Sequence, residues 1–209
     1  MQESHRRVQW VYESTSDKDL EDRYDQWAAD YDNDLATEFE WNAPQNATDV
    51  FIKHVDKQAH ILDAGAGTGL VGECLVSAGY KDLAAMDLSK GMLDEAESQN
   101  LYNSFHQMAL GGSLDFATDE FDAVIGVGVF TQGHAPANSL DELARITKPG
   151  GFIIFSLRVD TYESAGFKQQ QTSMEESNIW ELAEMTEEFQ PLPKGEPEVW
   201  HRIWAYRCK

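Results

Sequence analysis

The stretch Leu62–Gly72, LDAGAGTGLVG, limits the fold of this chain more than any other. The apolar run AHILDAG leads into it. Leu70, Val71, Cys74, Leu75 and Ala78 follow at helical spacing. The order is therefore strand, glycine loop, helix, and glycines let such a loop take left-handed backbone and approach a ligand closely. Two patterns overlap in it: Gly65-x-Gly67-x-Gly69, and Gly67-x-Gly69-x-x-Gly72. The second matches a dinucleotide fingerprint letter for letter. The loop alone does not say which ligand it holds.

The rest of the chain repeats the strand–helix alternation. DLAAMD reads as a second strand, and Ser89 caps a helix carrying Met92, Leu93 and Ala96. SFHQM is a weak third strand, FDAVIGVGVF a strong fourth, and GFIIFSL an apolar fifth after a helix over 138–148 and a Pro149-Gly150-Gly151 turn. Alternation of this kind implies parallel strands joined by right-handed crossovers. Continuously apolar strands imply a sheet covered on both faces. The expected fold is α/β, Rossmann-like and doubly wound.

Ahead of this core, residues 1–15 read as a loose polar lead. From Asp17 to Tyr31, Leu20, Tyr24, Trp27 and Tyr31 recur at helical spacing, and a further helix starts at Pro44. At the other end, a helix is expected near 173–184. MTEEFQPLP and EVWHRIWAYR then read as two strands forming an antiparallel hairpin. One structural domain is expected, with residues 1–55 a helical lead or lid, 56–209 the core, and about 158–185 a variable substrate segment.

Charge bears on the ligand. In this architecture a ligand sits at the carboxyl ends of the strands. A dinucleotide would set its pyrophosphate on the helix that follows the loop. Asp63, just before the glycines, opposes that anion, and no Lys or Arg lies between Lys57 and Lys81 to offset it. A sulfonium nucleoside instead brings an ammonium that Asp63 can attract. Asp87 closes the second strand and suits the hydroxyls of a ribose, which either ligand carries. The balance favours the sulfonium nucleoside.

Four segments in register then resemble the class I S-adenosylmethionine-dependent methyltransferases: ILDAGAGTG, MDLSKGML, FDAVIGVGV and LARITKPGGFIIFSLR. The lead YDQWAADYD, Tyr24 to Asp32, resembles that of the Williams–Beuren-region methyltransferase-like group within the small-molecule branch. The resemblance implies a seven-stranded sheet with its last strand inserted antiparallel. It implies that Asp63, Gly65, Ala66 and Gly67 hold the methionine part of S-adenosylmethionine and Asp87 the ribose. Leu88 and Met92 would pack near the adenine, Met108, Ala109 and Leu110 would line its edge, and Val127 would sit by the methionine or adenosine. The family often has an Asp where Ala109 stands, which leaves backbone groups of Ala109 and Leu110 to read the adenine amino group.

Methyl transfer from an activated donor needs alignment and dryness more than a catalytic constellation. His134, in the loop after the fourth strand, is the candidate base, because an unperturbed imidazole titrates near pH ~6.5. Tyr24, Trp27, Tyr31, Arg158 and Tyr162 are candidate acceptor contacts, Arg158 for a carboxylate or phosphate. His5, His54, His60 and His106 show no ligand spacing, so no metal is expected, and His201 reads as structural.

Composition narrows the partners. Thirty-seven acids against sixteen Lys and Arg give a net charge of −21, which repels nucleic acid and anionic lipid. It reads first as a solubility adaptation. Two cysteines without a disulfide or metal pattern fit a reducing cytoplasm. No run approaches a membrane span. A monomer or homodimer acting on a small-molecule acceptor is expected. An NAD(P)-linked oxidoreductase and a non-catalytic binder of S-adenosylmethionine or S-adenosylhomocysteine are the alternatives.

Overall fold

The computed structural model describes residues 3–131 and 133–209, without the side chains of residues 3–5, 36 and 37. At its centre lie β1 (His60–Ala64) and β4 (Phe121–Phe130), paired in parallel and almost wholly buried. The sheet extends one way through β2 (Asp82–Asp87) to β3 (Ser104–Gln107), both parallel to their neighbours. It extends the other way through β5 (Thr147–Arg158), parallel to β4. β7 (His201–Cys208) is inserted antiparallel between β5 and the edge strand β6 (Trp180–Met185). The order is β3-β2-β1-β4-β5-β7-β6, the seven-stranded mostly parallel sheet that the motifs implied.

Alternate strand residues face opposite ways, and each face is covered. Ile61, Leu83, Ile125 and Ile154 pack with α3 (Ala43–His54), α4 (Leu70–Ser77) and α5 (Lys90–Ser98). Leu62, Met86, Val124 and Phe155 pack with α6 (Ser139–Ile146) and α8 (Phe167–Glu176) on the other side. α4 starts on Gly69 in left-handed backbone (φ 106°), and the Ser89 hydroxyl caps α5 by accepting from Met92 N. A third, smaller core joins α1 (Glu3–Tyr12), α2 (Asp17–Asn33) and the π-helical turn Asp34–Phe39 through Val11, Leu20, Trp27 and Phe39.

Three local expectations are corrected. The lead is helical, not loose, because Val8 and Val11 lie on one face of α1 and bury against α2 and Leu192. Pro149-Gly150-Gly151 lies within β5 instead of turning the chain ahead of it. The register passes from Phe121↔Thr147 to Ala123↔Phe152, so the segment bulges. Residues 180–185 form a strand, with α7 (Val159–Ser164) and α8 ahead of it. α8 stops at Asn178 in left-handed backbone (φ 56°), and Trp180 is buried on Tyr206 with ring centroids 4.0 Å apart. Tertiary packing overrides the helical propensity of WELAEM. Of MTEEFQPLP, Met185 ends β6 and the rest contributes only an isolated bridge, Phe189↔His201.

Candidate active site

The glycine loop leaves the carboxyl end of β1, and four of its amide protons are already bonded. Gly65 N and Ala66 N donate to Met86 O, Gly67 N to Asp87 Oδ2 at 2.8 Å, and Gly69 N to Ala66 O. A pyrophosphate needs such N–H groups turned outward. Here a carboxylate takes one of them, which disfavours a dinucleotide. A Cβ on Gly65 would collide with Val129 at 2.0 Å, whereas one on Gly67 would meet nothing within 4 Å. The loop is thus pressed onto β4 at Gly65 and open above Gly67.

Gly72, the third glycine of the dinucleotide-like pattern, has a different task. A Cβ there would lie 2.4 Å from the Tyr102 hydroxyl. The missing side chain lets Tyr102 reach under the loop and donate to Asp63 Oδ2 at 2.6 Å. Asp63 is fully buried on the α4–α5 face of the sheet, and its Oδ1 has no hydrogen-bond partner among the described residues. Burial raises its pKa to about 7. The Tyr102 bond opposes that shift, and the nearby Asp87 adds to it. Asp63 therefore stands beneath the loop and not on the cavity wall.

Above the loop lies a cavity of about 940 Å³, open solvent included, in the range of small-molecule sites. Gly65, Ala66 and Gly67 line one end, with Val127 beside them. Asp87, Leu88 and Met92 line the middle, and Met108, Ala109 and Leu110 the far wall. Every expected cofactor contact except Asp63 is brought to this one space. Asp87 accepts from Ser89 N at 2.9 Å as well as from Gly67 N, so its carboxylate is fixed. Burial nevertheless raises its pKa, against those backbone bonds.

α2 roofs the cavity. Asp25 accepts from Gly91 N at the start of α5, Asp32 accepts from the Thr68 hydroxyl of the loop, and Gln107 donates to Glu21. A Cβ on Gly91 would meet Asp25 Cα at 3.0 Å, so the glycine permits this approach. α2 also sets Asp17 and Leu20 on the lining of this cavity.

A second cavity, about 560 Å³ with open solvent, adjoins the first. Tyr24, Tyr31, Trp41, Gly128 and His134 line both. His134 is held at both nitrogens, Nε2 to the Tyr24 hydroxyl (2.8 Å) and Nδ1 to Thr131 Oγ1 (2.9 Å). Trp27 lines this second cavity with its Nε1 donating to Asp34 Oδ2.

Arg158 and Tyr162 do not reach either wall. Arg158 is held by Asp160 at 2.6 and 2.8 Å. α7 starts directly after β5 and turns Tyr162 onto Trp204, at a third, separate pocket. The sequence reading missed Tyr12, Trp41 and Glu196, which line the second cavity. The Val8, Val11, Tyr12 spacing could have flagged Tyr12; nothing marks Glu196 among so many acids. His5 lies outside the described side chains. Among the described residues no cluster of three His, Cys, Asp or Glu side chains could hold a metal, and no helix is long and apolar enough to cross a membrane.

A Rossmann-like sheet with a glycine loop, a ribose-type acid at the end of β2 and this inserted antiparallel strand defines a nucleoside-binding α/β enzyme fold. Residues 62–155 match the methyltransferase domain family. Methyltransferase-like protein 27 of Homo sapiens is 36% identical over 166 residues, covering 76% of this chain and 66% of that protein. The chain thus spans just under two thirds of that relative's length. Solved structures share the fold. One is a chain of the complex between the Haloferax volcanii Trm112 methyltransferase activator and a methyltransferase (TM-score 0.63, 17% identity, 87% and 96% covered). Another is a SAM-dependent methyltransferase of Methanosarcina mazei (TM-score 0.61, 14% identity, 76% and 96% covered). These matches support a class I S-adenosylmethionine-dependent methyltransferase domain, a class whose cofactor is S-adenosylmethionine.

Proposed function

We propose that this chain transfers a methyl group from S-adenosylmethionine in the first cavity to a small-molecule acceptor in the second. The observation that carries the reading is the shared wall. Tyr24, Tyr31, Trp41, Gly128 and His134 border both spaces, so a donor on the glycine-loop side and an acceptor beyond it meet there. Enclosure under α1, α2 and the 191–199 segment supports a compact acceptor.

The residues present fit the cofactor. Asp63 Oδ1, buried and unpartnered, is an acceptor suited to an ammonium, directly or through water. Asp87 keeps acceptor capacity for ribose hydroxyls after its two backbone bonds. Leu88, Met92 and Met108 supply an apolar bed for a base, and Asp17, on the lining of the same cavity, is the acid that would accept from the adenine amino group in place of the missing acid at Ala109. α2, tied to the loop and to α5, acts as the lid that keeps the site dry.

When bound, S-adenosylmethionine supplies a methyl carbon on a cationic sulfur, which keeps the C–S electron pair as the acceptor's lone pair takes the carbon. The protein's part is alignment and the proton. A hydroxyl or protonated amine must give up a proton. Tyr24 can take it at its oxygen while passing its own to His134 Nε2, with Nδ1–H held by Thr131. His134 is thus the proposed base, with Tyr24 as its contact atom.

The test is incubation with methyl-labelled S-adenosylmethionine and separated cell fractions. Label should enter the low-mass metabolite fraction and depend on His134. Label entering only protein or RNA would overturn the small-molecule reading.

A further inference from the structure

The second cavity carries chemistry that narrows the acceptor. The wall it shares with the first cavity is built of three rings, Tyr24, Tyr31 and Trp41, with Gly128 and His134. Gly128 is in left-handed backbone (φ 78°), and a Cβ there would lie 3.3 Å from Trp41 Cζ2. The glycine thus lets the indole lie against the end of β4. Tyr12 and Trp27 continue the aromatic lining in the second cavity alone. The rings brace one another: Trp27 meets Tyr31 edge to face with centroids 4.8 Å apart, and Tyr24 meets Tyr31 at 6.2 Å.

The charged groups around this space are engaged with one another. Glu196 accepts from Tyr12 Oη at 3.1 Å and Gln9 Nε2 at 3.3 Å, and the charge of Arg158 acts on both Tyr12 and Glu196. Arg158 is also bonded to Asp160. Asp34 is bonded to Arg7 and Trp27. Burial, and then the charge of Arg158, lowers the His201 pKa to about 4, so it is neutral near pH 7. Among the described lining residues there is no lysine or arginine. A charged acceptor would leave water for a wall whose charges are already committed, which costs far more than burying a neutral ring.

We propose that the acceptor is an uncharged phenol, its aromatic body held by the rings of the second cavity and its hydroxyl set against Tyr24 at the shared wall. The inference rests on the assignment of the first cavity to S-adenosylmethionine and of the second to the acceptor. The proton path favours the same class. A phenol and the Tyr24 side chain are the same kind of acid, with an ordinary pKa near ~10. Burial raises the Tyr24 pKa, and it acts alike on a phenol in the same space. The acceptor's proton can therefore pass to Tyr24 Oη without a large mismatch as the proton of Tyr24 moves to His134 Nε2, 2.8 Å away. An aliphatic alcohol is a far weaker acid and would stall at that step. The phenol oxygen takes the methyl carbon with a lone pair, and the C–S pair stays on sulfur. The products are an aryl methyl ether, S-adenosylhomocysteine and a proton on His134 that returns to water.

The experiment is calorimetric titration of the protein, saturated with S-adenosylhomocysteine, with 4-ethylphenol, its saturated counterpart 4-ethylcyclohexanol, tyramine and 3-(4-hydroxyphenyl)propionate. Near pH 7 tyramine adds a cation to the phenol and the propionate an anion. 4-Ethylphenol should bind at least about tenfold tighter than either charged probe and at least about threefold tighter than the saturated alcohol. With methyl-labelled S-adenosylmethionine it should gain the methyl group on oxygen. Tyr24→Phe should cut that turnover about a hundredfold or more and change 4-ethylphenol affinity less than about threefold. Equal or tighter binding of any other probe would overturn the proposal. So would no binding of 4-ethylphenol, methyl transfer that is absent or goes to another atom, or turnover indifferent to Tyr24→Phe. Failure of S-adenosylhomocysteine itself to bind would remove the cofactor assignment beneath it. Normal cofactor binding without a preference for the neutral phenol would remove the phenol alone.

Discussion

Tyr102→Phe isolates the role of the buried carboxyl beneath the loop. The substitution removes one oxygen and leaves the ring packed against Gly72. What is lost is the 2.6 Å bond to Asp63 Oδ2. A buried hydrogen bond to a charged group contributes about 1.5–3 kcal/mol. It also opposes the burial that lifts the Asp63 pKa to about 7, so its loss moves that pKa higher. Asp63 must be ionised to grip an ammonium. S-adenosylhomocysteine, which carries the ammonium, should therefore bind about 2 kcal/mol more weakly at pH 7, roughly thirtyfold. Methylthioadenosine, which has the nucleoside but no ammonium, should bind as before. The pH dependence has a definite sign. A native pKa raised above the unfolded value makes the ligand-free fold lose this group's contribution as pH rises through about 7. Binding of the ammonium ligand should strengthen over the same interval, and that rise should move to higher pH in Tyr102→Phe. Calorimetry of both ligands from pH 6 to 9 reads all of this. Equal losses for the two ligands, or an unmoved pH midpoint, would refute the reasoning.

Further predictions follow from the same geometry. Asp17→Ala should weaken S-adenosylhomocysteine by about 1 kcal/mol and leave its inosine analogue unaffected, since only adenine presents an amino donor; competition binding reads the difference. His134→Ala should cut turnover by about 10²–10⁴ with little change in cofactor affinity, as measured by label transfer and calorimetry. Trp180→Ala removes a ring buried on Tyr206 and Phe155 and should cost about 3–5 kcal/mol of stability in a denaturant melt.

How far the sequence could be read depended on the range of each signal. β1, β2 and β4 are apolar runs bounded by glycines or caps, and such local patterns survive folding. The positions at the ends of those strands, Asp87 and Val127, follow from topology once the sheet is recognised. Asp63 was harder: its place after β1 was plain, but its side chain lies buried beneath the loop, with one oxygen taken by Tyr102, thirty-nine residues on, through the space left by Gly72. Only tertiary packing says so. The dinucleotide-like glycine pattern was ambiguous for the same reason, since the third glycine serves a tyrosine and not a phosphate. Glu196 lies in a loop with no periodicity, and its place against Tyr12 joins the two ends of the chain, which no local pattern encodes. Arg158 misled because its strand position is legible, whereas its capture by Asp160, two residues on, depends on side-chain geometry that spacing does not encode.

The account turns on what the first cavity holds. Titrating S-adenosylhomocysteine and NAD into the protein and into Asp87→Ala tests this most directly. Micromolar binding of S-adenosylhomocysteine, weakened by at least ~1.5 kcal/mol in Asp87→Ala, with no heat from NAD, is the predicted result. Binding of NAD, or S-adenosylhomocysteine affinity indifferent to Asp87 in a folded variant, would contradict it.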